Sequence, residues 1–201
     1  MSVAHQVTPA VIDPPRRKRF TRTEVQHLVE LGIFEGQRLE LIEGDLIDKM
    51  GQNPPHAFVI GLILSWLSRI LGIERLRVQL PVEVAREDQE RSFPEPDIAV
   101  LSGLKSEYQT RHPRGDELLL IVEVAETSSQ FDLTVKAGLY ARAGVPEYWV
   151  LDLRNRWLVT HRHPLEGEYR HVTRLAENET ASLGNAGEHS IPVHELLPAR
   201  A

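Results

Sequence analysis

"ELLLIVEVAETSSQFDLTVKAGLYARAGVPEYWVLDL", Glu117 to Leu153, reads as strand, helix, strand. Leu118 to Val122 carries apolar residues on both faces, which suits a central strand covered from both sides. Glu123, near the end of that strand, is costly to bury unless it is paired or bound to a metal. A helix from about Phe131 to Arg142 follows, stopped by Gly144 and Pro146, and "EYWVLDL" then supplies a second apolar strand.

Toward the N-terminus, "DIAVL" (Asp97–Leu101) and "RLRVQLPVEVA" (Arg75–Ala85) read as two more strands. Pro96 pushes Glu95 toward an extended conformation, so Asp97 stands where a loop enters its strand. An apolar helix from about Pro55 to Leu71 precedes them, entered through the turn-like "GQNPP". The core order is therefore αβββαβ, a mixed β-sheet with flanking helices in an α/β protein. Further upstream, "RLELIEGDLIDKM" alternates Leu39, Leu41 and Leu46 with charges around Gly44, the pattern of a hairpin with one buried face. "TRTE" (Thr21–Glu24) fits a capping box that opens a short helix ending by Gly32. Downstream, "WLVTHRHP", "YRHVTRL" and "IPVHELL" read as smaller strands extending the sheet. Residues 1–19 read as a flexible leader and 20–198 as a single domain.

The chain has 201 residues, 41% hydrophobic and 26% charged, enough for one buried core. It contains no cysteine, which excludes disulfides and thiolate metal sites and fits a reducing cytoplasm. The longest apolar run, Ala57–Leu67, is short for a bilayer span, and the expectation is a soluble cytoplasmic protein without a membrane partner. The net charge of −6 argues against a broadly basic coat for nucleic acid but allows a local basic cleft. "RRKRF" (Arg16–Phe20) reads as a solvated terminal charge run.

The polar residues carry the chemistry. Paired second and third core strands would bring Asp97 and Glu123 together at one edge of the sheet, while the next helix delivers Lys136. Two carboxylates with an ammonium alongside suit Mg²⁺, which prefers oxygen donors, waters and phosphate oxygens. Each residue also has a plainer reading. Asp97 can cap a turn, Glu123 can be a buried acid held by an arginine, and Asp132 before Lys136 is the ordinary order for a surface ion pair. Gln79 can point into the cleft. His161 and His163 share a strand parity and mimic a metal pair, but read as part of a polar surface ribbon.

From about Phe20 to Leu197 the chain resembles the Uma2 family of endonucleases (DUF820), within the PD-(D/E)XK nuclease superfamily. The resemblance rests on "RLELIEGDL", on His56 soon after it, on "EPDIAVL" (Glu95–Leu101), and above all on "LLLIVEVAETSSQFDLTVKAGLYARAGVPEYWVLDL". It implies a restriction-endonuclease-like fold and a metal-dependent endonuclease acting on DNA, with Mg²⁺ as cofactor and Mn²⁺ as a substitute. It also implies that Asp97 and Glu123 bind the metal together with the Val124 carbonyl and Glu40. His56 would contact phosphate or the leaving oxygen. An E-x-K pattern would put lysine at position 125, where this chain has Ala125, so the role passes to Lys136 on the following helix. The competing class is a catalytically silent module of the same fold that binds DNA or protein. A Rossmann-type enzyme would need a glycine-rich phosphate loop after its first strand, which is absent. A homodimer is compatible with the sequence.

Overall fold

β5 (Leu118–Ala125) sits inside a six-stranded sheet ordered β3–β4–β5–β6–β7–β8, in a computed structural model that describes residues 17–49, 53–184 and 189–200. Its neighbours are β4 (Ile98–Leu101), antiparallel, and β6 (Glu147–Asp152), parallel. A parallel pair needs a crossover, and the helical segment after β5 provides it. That segment runs through α3 (Ser129–Phe131), a π-helical stretch over Asp132–Lys136, and α4 (Ala137–Arg142). β3 (Leu76–Val78) closes one edge, while β7 (Trp157–Leu165) and β8 (Glu168–Ala176) continue antiparallel on the other.

Alternate residues of the strands serve two cores. On one face α2 (Pro54–Leu71) packs Val59, Ile60, Ile63, Trp66 and Leu67 against Ile98, Val100, Leu120, Val122 and Val124, and Trp66 stacks on Trp149 with ring centroids 5.9 Å apart. On the other, Ala137 and Tyr140 of α4 lie against Ala99, Leu101, Ile121, Ala125, Tyr148 and Val150. α2 spans 18 residues with mean hydropathy 1.3, so by length and composition it could cross a membrane, which the shorter Ala57–Leu67 run had not suggested. Its buried stripe faces the sheet.

The hairpin of β1 (Leu39–Ile42) and β2 (Asp45–Asp48) turns through Glu43 and Gly44, both at positive φ (49° and 85°), the two-residue turn that matches strand twist. It is covered more fully than alternation suggests, since Glu40, Leu41 and Ile42 are all buried. Ile42 and Ile47 pack with Val84, Leu139, Phe131 and Val135, and Phe93 bridges to Leu41, so the hairpin is clasped between the β3–β4 loop and the crossover helix. α1 (Arg22–Glu30) has the Thr21–Glu24 capping box and buries no residue.

Three other expectations are corrected. "RLRVQLPVEVA" is not one strand, because Gln79 at φ 50° ends β3 before Pro81. "IPVHELL" does not extend the main sheet; β10 (Ser190–Pro192) pairs with β9 (Thr180–Ser182) in a separate ribbon, and Val193–Leu196 is a 3₁₀ turn. His161 is buried beside Tyr148 and Tyr169, with Nδ1 3.2 Å from the Tyr148 carbonyl oxygen, while His163 is exposed at φ 57° where the β7–β8 register skips. The two histidines therefore point apart. Residues 1–16 of the expected leader, with Arg16 of the basic run, and Met50–Gln52 before α2 lie outside the described residues.

Candidate active site

The strand register assembles the site. Ile98 pairs with Val122 in the antiparallel β4–β5 ladder, so the next step sets Asp97 opposite Glu123 on the same sheet face. The contacts are reciprocal: the Val124 N–H donates to Asp97 Oδ2 at 2.9 Å, and the Asp97 N–H points at Glu123 Oε2 at 3.4 Å. Both acids are 3% exposed. Gln79 holds the other side of Asp97, its backbone N–H reaching the Asp97 carbonyl at 3.1 Å and Nε2 reaching Oδ1 at 3.4 Å.

Helices approach this strand mouth from both faces. Lys136 arrives from the crossover on the face that Ala125 and Glu123 share, and its Nζ lies 2.9 Å from Glu123 Oε1, 2.7 Å from Glu40 Oε1 and 3.7 Å from Asp132 Oδ1. Tyr140, one turn on, donates its hydroxyl to the same Glu123 oxygen at 3.0 Å. Asp132, Lys136 and Tyr140 thus form a buried column rather than a surface ion pair. From the opposite face, Asn53 caps α2 by accepting from the His56 N–H at 3.0 Å, and the His56 Nε2 stands 3.3 Å from Asp97 Oδ2. The hairpin adds Glu40, which accepts the Glu95 N–H at 3.1 Å, and Lys49, whose Nζ lies 3.8 Å from Asp97 Oδ1.

Asp97, Glu123, Val124, Lys136, Glu40, His56 and Gln79 all line one cleft of about 160 Å³, with Lys49, Asp132, Ser128, Asn53 and Arg38 completing its walls. Lys49 went unnoticed in the sequence: it ends an alternating strand, and no spacing links it to Asp97. Asp132 and Tyr140 were visible as a helix face, but not as a buried one.

Environment divides the acids. Burial pushes Asp97 upward, yet the neighbouring His56, the Lys49 charge and the Val124 N–H outweigh it and hold the carboxyl at about 2. Glu123 goes the other way, because its complete burial prevails over the Lys136 and Lys49 charges. Asp132 is raised by burial as well. Burial pulls His56 down, but Asp97 beside it prevails and raises it. Burial also disfavours the Lys136 cation, and the Glu123, Glu40 and Asp132 charges around it reverse that and keep it protonated.

A divalent cation fits this donor set. Asp97, Glu123 and Glu40 offer hard oxygens on adjacent elements, and the Lys136 ammonium seated between Glu40 and Glu123 shows that the acids already hold a positive charge. Among the described residues no ready-made cage of three His, Asp or Glu ligands exists. An incoming ion would have to share carboxylate oxygens that Lys136 now engages.

The chain has a fold neighbour in the crystal structure of "a putative nuclease belonging to DUF820" from Anabaena variabilis. The two align with a TM-score of 0.66 and 16% identity, over 88% of this chain and 97% of the other. No curated protein matches. The family model Uma2, described as "Putative restriction endonuclease", matches residues 24–193. That span runs from α1 to the turn after β10 and includes every residue of the cleft, so the chain belongs to the Uma2 family.

Proposed function

We propose that this chain is a divalent-metal-dependent endonuclease that hydrolyses phosphodiester bonds in DNA. The observation that carries the reading is the convergence of Asp97, Glu123 and Lys136 in one cleft, in a chain whose family carries the description "Putative restriction endonuclease". Asp97, Glu123 and the Val124 carbonyl would hold Mg²⁺ or Mn²⁺, with Glu40 supporting them. The chemistry such an ion supplies when bound is neutralisation of phosphate charge and acidification of a water. Lys136 would orient the attacking water and stabilise charge that builds on the phosphoryl oxygens. With so raised an affinity for its proton, Lys136 serves as a fixed cation rather than as a base. His56 faces the cleft through Asp97, whose charge favours the protonated imidazole, so it is a group able to carry a proton there. In the net reaction water oxygen bonds to phosphorus, one P–O ester bond breaks, and a water proton ends on the leaving oxygen. Ala125 does not argue against this, because Lys136 reaches Glu123 from the same sheet face.

The test is cleavage of supercoiled plasmid and of single-stranded DNA by the purified chain with Mg²⁺, Mn²⁺ or EDTA. Nicking with either metal and none in EDTA is expected. Asp97→Ala and Glu123→Ala should each remove both cleavage and calorimetrically measured metal binding while the circular dichroism stays native. If neither DNA is cut under either metal, the reading fails and a silent nucleic-acid or protein-binding module takes its place.

A further inference from the structure

The two lysines of the cleft are held differently. Lys136 has a side chain 4% exposed and gives hydrogen bonds or close ion pairs to Glu40 and Glu123. Lys49 is 11% exposed, donates to the Glu95 carbonyl, and stands 3.8 Å from Asp97 Oδ1, beyond hydrogen-bond reach. An ammonium has three donors, so two N–H bonds of Lys49 are not taken up by these contacts. The exposure that Lys49 retains leaves these N–H groups open to an acceptor in the cleft.

Its position follows from the hairpin. The Lys49 N–H donates to the Arg38 carbonyl at 2.8 Å, which extends the β1–β2 ladder by one step and carries the side chain over the mouth of β4. There it lines the cleft on the Asp97 side, while Lys136 approaches Glu123 from beneath. Arg38, the other cation of the wall, is exposed at the rim. The anionic residues of the wall outnumber its cations, with Glu40, Asp48, Asp97, Glu123, Glu126 and Asp132. A phosphodiester entering it therefore depends on the few cations of the wall for attraction.

We infer that Lys49 is the phosphate-binding residue of this cleft: its ammonium, anchored by the Glu95 carbonyl and the Asp97 charge, contacts a backbone phosphate of the nucleic-acid substrate. The inference rests on the nuclease reading and adds to it a ground-state substrate contact, distinct from the transition-state charge stabilisation assigned to Lys136. The carbonyl anchor fixes the ammonium as a point charge, which suits one phosphate oxygen better than a bidentate fork.

Salt dependence of binding tests it independently of catalysis. Affinities of the full chain for a short fluorescent duplex and for its single strand are measured in EDTA across a salt series. A lost phosphate contact lowers the slope of log affinity against log salt by about 0.9 for duplex or about 0.7 for single strand. Lys49→Met is expected to show that drop and Lys49→Arg to keep most of the slope, both with native circular dichroism. Lys136→Met is expected to leave the slope unchanged. If Lys49 only steadied Asp97, Lys49→Met would weaken metal binding and leave the slope alone, which overturns the inference. A wild-type chain that cuts DNA while Lys49→Met binds with unaltered slope and affinity also overturns it, and leaves the nuclease reading standing. A wild-type chain that neither binds nor cuts either nucleic acid overturns both.

Discussion

Lys136 is a cation enclosed by three carboxylates, and the energetics of that arrangement depend on which member is removed. Breaking a buried pair leaves an uncompensated charge, typically a loss of about 3–5 kcal/mol, whereas removing both partners costs much less. Lys136→Met should therefore lower stability by about that amount in urea unfolding. Adding Glu40→Gln should recover a good part of it, because Glu40 lies 2.7 Å from the ammonium. Equal stability of Lys136→Met and wild type would show that the acids take up protons at little cost. Asp97 and Glu123 were legible in the sequence, since a proline-aspartate at a strand mouth and an acid in an apolar strand are locally anomalous, whereas Lys136 stood out through the family resemblance, because Asp132 four residues before it otherwise reads as an ordinary surface ion pair. Lys49 was not, because nothing about a lysine after a charged strand is anomalous until the hairpin folds over β4. Glu40 was legible only as a candidate: strand alternation points it outward, and its burial comes from the clasp of the β3–β4 loop and the crossover helix.

At the level of elements, the long apolar strands and both long helical segments announce themselves, and the αβββαβ order is borne out. What escaped was short or conformationally special. β9 and β10 each bury one residue, Ala181 and Ile191, too little for a periodic signal. The positive φ of Gln79 is unusual for glutamine, and it truncates a run whose composition favours a longer strand. The glutamate-glycine turn at Glu43–Gly44 recurs at Glu166–Gly167, where φ is 53° and 80°, and joins β7 to β8. Gly115 has a different task. A Cβ there would lie 2.2 Å from the Ala143 carbonyl oxygen, so the turn before β5 and the end of α4 touch backbone to backbone. An added Cβ therefore forces backbone to shift rather than a side chain to rotate. Gly115→Ala should lower the thermal midpoint, by about 1–3 kcal/mol of stability as overpacked sites do, and an unchanged midpoint would mean that this contact is loose.

The molecule as a whole should register its cleft in its response to acid. Asp97 is held at about 2, below its ordinary 3.8, so it contributes stability above pH 4 that disappears as pH falls toward 2. That shift corresponds to about 2 kcal/mol. His56 has the opposite sign: its raised value favours the fold below its ordinary 6.5, and that contribution is lost as pH rises through the raised value. The pair therefore stabilises most from about pH 4 up to the ordinary 6.5 of histidine, above which the His56 contribution declines. Asp97→Asn should flatten the acid side of a stability profile taken in EDTA between pH 4 and 2, and a profile parallel to wild type would show that Asp97 is not held as described. The spread of the cleft along the chain also bears on how the protein is made. Glu40 and His56 lie on early elements, Asp97 and Glu123 follow in the middle, and Lys136 comes last. At 5–20 residues per second, a ribosome needs roughly 5–20 s to go from Glu40 to Lys136. During that interval the nascent chain carries Glu40, and later Asp97 and Glu123, without the ammonium that pairs them, so the charge balance of the cleft is complete only once the crossover helix has been made.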